Sequence, residues 1–326
     1  MGGRYRYSTD DLPSLGAVRW EPRTRNDQLF SVFAQDRIDL AADRFRITVG
    51  TKLEHNDYTG FEFQPNARIA WTPGDHTLWG SVSRAVRAPA RFERTFEINV
   101  SVVPTPPLLG LVFIEGNPAF VSEEVIDYEL GYRVQPYEKL SLDVTSFYND
   151  YDHLTSIEPV GLPAFVPVPF PHLEIRQQLG NLLRGSAYGA EIAANVMPIE
   201  QWRLALSYSY LRLQFEPIEG SLDNGSASPQ GSSPQNQFRL QSYLELSRGL
   251  ELDATLSYVD ELPKQLTPSY TRLDLRFGWR FTERVALSVV GQNLPDEYHL
   301  EYGNIGTPAS PSLVQRSVFL QIRWEN

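Results

Sequence analysis

The 326-residue sequence predicts an all-β protein, an antiparallel transmembrane β-barrel, on three observations. Apolar and polar residues alternate with period 2 along nearly the whole chain, which puts them on opposite faces of extended strands. The alternating segments are long, roughly 11–15 residues, where a soluble strand runs about 5–6 and a tilted membrane strand needs about 9–11. The connections between them are alternately short and long, the pattern of a barrel with tight turns on one side of a membrane and large loops on the other.

The alternation can be followed element by element. Arg4-Tyr5-Arg6-Tyr7 reads as the end of an upward strand. In 43–54, Phe45, Ile47, Val49 and Leu53 fall on one face, and Arg44, Arg46, Lys52 and Glu54 on the other. The same split separates Trp202, Leu204, Leu206, Tyr208 and Tyr210 from Arg203, Ala205, Ser207 and Ser209. It recurs in Leu273, Leu275, Phe277 and Trp279 against Arg272, Asp274, Arg276 and Arg280. About 13 strands follow from residue 28 onward by this criterion, and residues 4–7 would make 14. Short turns fall at 41–43, 73–75, 136–138, 198–200, 248–249 and 282–283. Long links fall at 9–27, 89–122, 154–180, 217–233, 262–268 and 297–312, with one short exception at 56–60. Prolines in the loops 89–122 and 154–180 are expected to keep loop segments from pairing as edge strands. Aromatics near strand ends (Trp71, Trp79, Trp202, Trp279, Trp324, Tyr58, Tyr258 and Tyr270) fit interfacial belts.

Composition narrows the function classes. Aromatic residues make up 12% of the chain, in keeping with membrane-interface girdles. There is no cysteine, which excludes disulfides, thiolate metal sites and a cysteine nucleophile. A net charge of -11 argues against nucleic acid as a partner. No phosphate loop, dinucleotide fingerprint or G-x-S-x-G elbow occurs, so neither an enzyme nor a cofactor is expected. The five histidines have no ligand spacing, and only His153 and His172 have a chance to converge within one loop. Asp223-Asn224-Gly225 is a turn signal before it is a calcium ligand set. The start of the chain has no apolar signal-peptide core. Thirteen strands could close only through a parallel seam, where an even count is the rule for single-chain bacterial barrels, and with fourteen the chain still starts abruptly, as if cut inside a larger barrel. Residues 1–326 therefore read as one domain, the C-terminal portion of a larger barrel.

Four blocks carry a resemblance. Leu78-Trp79-Gly80-Ser81-Val82-Ser83-Arg84-Ala85-Val86-Arg87-Ala88-Pro89 resembles the SRAVRxP strand of TonB-dependent outer-membrane receptors. Gly116-Asn117-Pro118 with Tyr128-Glu129-Leu130-Gly131-Tyr132-Arg133 resembles the next block of that family. Phe147-Tyr148-Asn149-Asp150-Tyr151-Asp152 and Gly291-Gln292-Asn293-Leu294-Pro295-Asp296 resemble its later ones. The resemblance implies a 22-stranded barrel around an N-terminal plug domain that binds TonB, and neither plug nor TonB box has a counterpart here. It implies a Gram-negative outer membrane, a small-molecule ligand such as a ferric siderophore, and contact with outer-membrane lipid. This portion alone is expected not to support TonB-coupled uptake. Asn326 departs from the aromatic residue that usually ends such barrels. A passive porin-like channel is the alternative.

Within that frame, Arg87 should point inward and Arg84 outward near the top rim. Apolar and aromatic residues in the long links suit a bulky, partly aromatic ligand. The candidate ligand-binding residues are Arg87, Arg91, Phe113, Asn117, Phe165, Phe170 and His172. The charges on the polar strand faces, Arg133, Asp143, Arg239 and Arg272 among them, are expected to be structural or to face a plug.

Overall fold

The structure is a computed structural model describing residues 1–41, 44–223, 230–246, 249–303 and 311–324. The turn centre at 42–43, Arg248, the 224–225 part of the turn signal and Asn326 lie outside the described residues. In chain order the strands begin β1 (Gly2–Asp11), β2 (Val18–Trp20), β3 (Thr24–Leu40), β4 (Phe45–Asn56), β5 (Gly60–Trp71) and β6 (His76–Arg87). A short helix, α1 (Arg91–Thr95), leads into β7 (Phe96–Thr105) and β8 (Leu108–Glu115). Then come β9 (Glu123–Tyr137), β10 (Leu140–Pro159), β11 (Ala164–Val166), β12 (His172–Ile199), β13 (Trp202–Pro217) and β14 (Asn236–Glu245). The last are β15 (Leu250–Val259), β16 (Tyr270–Arg280), β17 (Val285–Gln292), β18 (Tyr298–Tyr302), β19 (Ser312–Gln315) and β20 (Ser317–Trp324).

Fourteen of these form one antiparallel wall in the order β1, β3, β4, β5, β6, β9, β10, β12, β13, β14, β15, β16, β17, β20. The Arg4–Tyr7 segment belongs to β1 and is the fourteenth strand. Among the described residues β1 and β20 each pair on one side only, so the wall is an open curved sheet. Register makes its two faces explicit. One lateral row runs Arg133, Asp143, Ala193, Ser207, Arg239, Ser257, Arg272. The row one residue away runs Tyr132, Val144, Ile192, Tyr208, Phe238, Tyr258.

The apolar face is uncovered, with Phe61 and Ile322 each 73% exposed. No second sheet packs on it, as a sandwich would require; lipid is the solvent that suits it. The outward pair Arg84–Glu124 at 2.7 Å marks the upper edge of this band. One carboxylate, Asp36, faces outward within it, on the register row of Val49. The polar face is satisfied by ladders of ion pairs such as Arg276 to Asp253 at 2.7 Å and to Glu251 at 2.9 Å.

Three aromatics assigned to interfacial belts belong to the polar side instead. Trp79 shares the face of Ser81 and stacks under Arg68, whose guanidinium lies 4.0 Å from the ring centroid. Tyr270 shares the face of Arg272 and stacks on His299 at 4.1 Å. Tyr58 sits in the β4–β5 turn, donating to Asp27 at 3.0 Å under the Arg25 guanidinium. Each has a cation, hydrogen-bond or ring partner within reach, and alternation by itself does not reveal a partner from another strand.

The long links are also more ordered than expected. Residues 96–115 form the β7–β8 hairpin, and β8 runs parallel to the first residues of β12, Leu109 opposite His172 and Glu115 opposite Gln178. Proline does not prevent this. Pro104 faces Leu109 across the hairpin, while β2 covers the other edge of β7 only at 96–98. The missing N–H therefore falls on an unpaired edge. The 297–312 link likewise contains paired strand, β18 against β19. β12 is 28 residues long, so at roughly 3.3 Å per residue its upper half stands well clear of a bilayer.

Candidate functional site: a crown above the wall

The links above β1, β6 and β10 fold into one body, the crown. It contains the cluster of buried apolar residues Phe96, Phe120 and Leu179, packed by Trp20, Ile98, Ile114 and Ile157. Burial of each such side chain stabilises by about 1.5–3 kcal/mol, so the crown has an apolar core of its own, while among the described residues the wall below forms no such cluster.

Arg87 joins crown to wall. Its Nε donates to Glu123 and its Nη1 to Glu93, both at 2.7 Å. Thr155 donates to Glu123 from both its backbone N–H and its hydroxyl, at 2.9 and 2.6 Å. Burial pushes the Glu123 carboxyl up, but the hydrogen bonds from Arg87 and Thr155 outweigh it and hold it below the usual carboxylate range. Glu93 also accepts from the Ala90 N–H at 2.6 Å, capping α1.

Arg91 is buried, at 7% exposure, and is spent inside the protein. Its guanidinium pairs with Asp10, donates to the carbonyls of Pro22 and Arg23, and lies 5.5 Å over the Trp20 ring. It thereby ties the β1–β3 link to α1. Asn117 is equally local. Its N–H donates to the Glu93 carbonyl at 2.8 Å and its side-chain oxygen accepts from the Ala119 N–H at 2.9 Å. A Cβ on the preceding Gly116 would lie 2.6 Å from the Arg94 carbonyl carbon, so glycine is what lets this turn dock on α1.

Of the other four candidates, Phe113, Phe165 and His172 lie on the crown sheet and Phe170 in the short link between β11 and β12. Phe113 on β8 is opposite Arg176 on β12, whose guanidinium lies 5.5 Å over its ring. Phe165 on β11 is opposite Leu173 and is 59% exposed. Phe170 is exposed, with its ring centroid 4.9 Å from that of His172. His172 is buried and its Nδ1 is 2.7 Å from the Phe170 carbonyl. His172 and His153 do not converge. His153 sits in a bulge of β10 beside Leu154, which pairs with Leu183, eleven residues along β12 and roughly 36 Å of strand from His172. Among the described residues no group of metal-ligating side chains forms.

Sequence reasoning missed the charge centre of this sheet. Arg176 pairs with Glu174, Glu97 and Glu115 at 2.9, 3.0 and 3.2 Å. Burial works against its charge, but the hydrogen bonds it donates to Glu174 and Glu97 hold its pKa above the ordinary arginine value. A guanidinium is the group that can serve three carboxylates at once.

A second knot ties the β17–β20 link to the wall. Asn293 is fully buried with φ 52, a left-handed conformation that asparagine tolerates. Its N–H donates to Asp274 at 2.9 Å, its Nδ2 donates to the Val314 carbonyl at 3.1 Å, and its Oδ1 is 3.0 Å from His299 Nδ1. Asn293→Ala should cost about 2–3 kcal/mol by leaving buried polar atoms unpaired, read as a lower urea midpoint of the detergent-solubilised protein. Asn293→Gly keeps the backbone conformation but loses the same side-chain bonds. An unchanged midpoint in both variants would mean the knot is dispensable.

Below the crown, a cavity of about 790 Å³ lies against the polar face of β10 and β12–β16, lined by Asp143, Glu191, Arg239, Arg272, Asp274 and Glu301 among others. The arrangement can bind, position and admit a solute. Among the described residues nothing is set up as a nucleophile with its base.

Known proteins align with this architecture. Residues 1–294 match the family model described as TonB dependent receptor-like, beta-barrel. An iron-regulated outer membrane virulence protein of Vibrio cholerae is 26% identical over 294 residues, covering 84% of this chain and 42% of its own length. Among solved structures, a variant of the ferric enterobactin receptor PfeA of Pseudomonas aeruginosa superposes with TM-score 0.71 at 16% identity, over 99% of this chain and 50% of that one. The siderophore receptor PirA of Acinetobacter baumannii superposes with TM-score 0.70 at 15% identity, over 93% and 46%. The chain thus spans about half the length of these relatives or slightly less, and the structural likeness is one of fold. With the match extending over nine-tenths of its residues, the chain belongs to the TonB-dependent receptor-like β-barrel family.

Proposed function

We propose that this chain is the C-terminal barrel portion of a Gram-negative outer-membrane receptor for a ferric siderophore, whose uptake is driven by TonB acting through a plug domain outside these 326 residues. The observation that carries the reading is a single wall with an uncovered apolar face and an ionic inner face, topped by a separately cored crown. A diffusion pore has no need of a crown with its own core. Of the candidate residues, Phe165 and Phe170 are the exposed aromatic contacts, with His172 against the Phe170 ring and Phe113 on the adjoining strand β8. Arg87, Arg91 and Asn117 hold the crown in place beneath, where they set the contact geometry rather than supply free charge.

The test is growth of a strain lacking both its siderophore synthesis and this receptor, under iron limitation with ferric siderophores supplied. Return of the intact receptor gene should restore growth on at least one of them. Failure on all, with no binding to the purified receptor, would sink the proposal. Phe165→Ala and Phe170→Ala should each weaken binding about 5–10-fold, the loss of about 1–1.4 kcal/mol of aromatic contact. Unchanged affinity in the double variant would place the ligand elsewhere.

A further inference from the structure

The segments joining wall strands on the crown side, taken together, hold twelve Asp and Glu against six Lys and Arg, a net charge of -6. The turns at the opposite end hold five against four, a net charge of -1. More than half of the chain's surplus of -11 is therefore gathered at the mouth.

The cations present there are already engaged. Arg91 is buried on Asp10, Arg23 pairs with Asp11, and Arg19 pairs with Glu97 at 3.5 Å. Arg94 donates to the carbonyls of Tyr58 and Pro118, and Arg316 to those of Pro295 and Asp296. At the upper ends of the wall strands the pattern continues. Arg87 is held by Glu93 and Glu123, and Arg184 by Glu216 at 2.8 Å. The crown sheet itself puts three carboxylates on the one guanidinium of Arg176, which leaves that centre with a surplus of negative charge. At these links an incoming anion meets a surplus of negative charge and arginines that are already paired, whereas a neutral or cationic solute meets no such barrier.

Resting on the reading as a ferric-siderophore receptor, we propose that the crown selects by charge. It accepts ferric complexes of zero or positive net charge, such as those formed by three hydroxamate groups, over the trianionic complexes formed by three catecholates. Three singly charged hydroxamates neutralise ferric iron, while three doubly charged catecholates leave a trianion, so the two classes differ in the property the mouth is built to sense.

The experiment compares binding of a ferric tris-hydroxamate and a ferric tris-catecholate to the purified intact receptor, and their uptake as radiolabelled iron by cells carrying it. The hydroxamate should bind at least about tenfold more tightly in low salt, a difference of about 1.4 kcal/mol. Added salt should narrow the gap by improving catecholate binding alone, because screening acts on the charged ligand. Glu97→Gln with Glu115→Gln should narrow it too, and the salt series keeps the test decisive if that variant folds poorly. Preference for the catecholate, or equal binding at low salt, overturns the charge selection and leaves the receptor reading standing. Binding of neither overturns both.

Discussion

Replacing Arg87 with alanine should lower the stability of the receptor by about 2 kcal/mol and weaken ligand binding at least about tenfold. The guanidinium bridges two carboxylates that do not otherwise meet a cation, Glu93 and Glu123, whose side chains are only 12% and 15% exposed. Removing one partner of a fully buried pair costs about 3–5 kcal/mol, while an exposed pair contributes about 0–1. Arg87 is itself 48% exposed, which places the expected cost between those limits. The binding effect is indirect. Glu93 caps α1 and Glu123 holds Thr155 of β10, so loss of the bridge loosens the crown at its junction with the wall. Arg87→Lys keeps one charge but not the two-sided geometry, and should recover less than half of the loss. Adding Glu123→Gln to Arg87→Ala removes one unpaired carboxylate and should restore part of the stability. The checks are a urea midpoint and the rate of tryptic cleavage within 88–122. A midpoint within about 0.5 kcal/mol of the unaltered receptor would show that the bridge is surface decoration.

The wall was legible because its signal is local. A period of 2 needs only neighbouring residues, and the inward Arg87 and outward Arg84 follow from it directly. What the crown does was not legible, because its contacts join distant segments. Arg176 meets Glu115 and Glu97 across 61 and 79 residues of chain, and Arg91 meets Asp10 across 81. Aromatic residues at strand ends misled for a related reason. Trp79 and Tyr270 look like belt residues until the neighbouring strand supplies Arg68 or His299 as a partner. The blocks that carried the family resemblance have structural explanations that no ligand enters. Gly116 and Asn117 dock a turn on α1, Gly131 makes room for the Trp79 ring, and Asn293 knots a loop to β16. Such blocks identify a family well because the scaffold needs them. They are poor guides to what one member binds, since the proposed ligand contacts Phe165 and Phe170 lie outside all four.

Gly189→Ala should prevent the wall from assembling normally, a cost of about 3 kcal/mol or more from a single methyl group. Gly189 lies near the middle of β12 at the crossing of three strands, opposite Phe147 of β10 and Leu211 of β13. A Cβ there would overlap the Tyr210 carbonyl oxygen and lie 2.8 Å from the Phe147 ring. Overpacking in a compact interior usually costs about 1–3 kcal/mol because side chains give way. Here one of the obstructing atoms is backbone, held by the β12–β13 ladder, so relief requires strands to move. Gly185, four residues earlier, is confined in the same manner by the Gln214 carbonyl and by Phe215, whose Cα would lie 2.9 Å from the added carbon. The two glycines therefore allow close approach of β12 and β13 at the level where β12 rises out of the membrane band. Gly80→Ala is the control. Its nearest neighbours would be the Glu129 carbonyl oxygen at 3.5 Å and Leu130 Cδ1 at 3.9 Å, ordinary contacts, and its stability should change by less than about 0.5 kcal/mol. Membrane fractions from cells expressing each variant, treated with trypsin, should show the protected barrel for Gly80→Ala and its loss for Gly189→Ala. Equal protection of both would mean that β12 and β13 sit farther apart than their register and glycines imply.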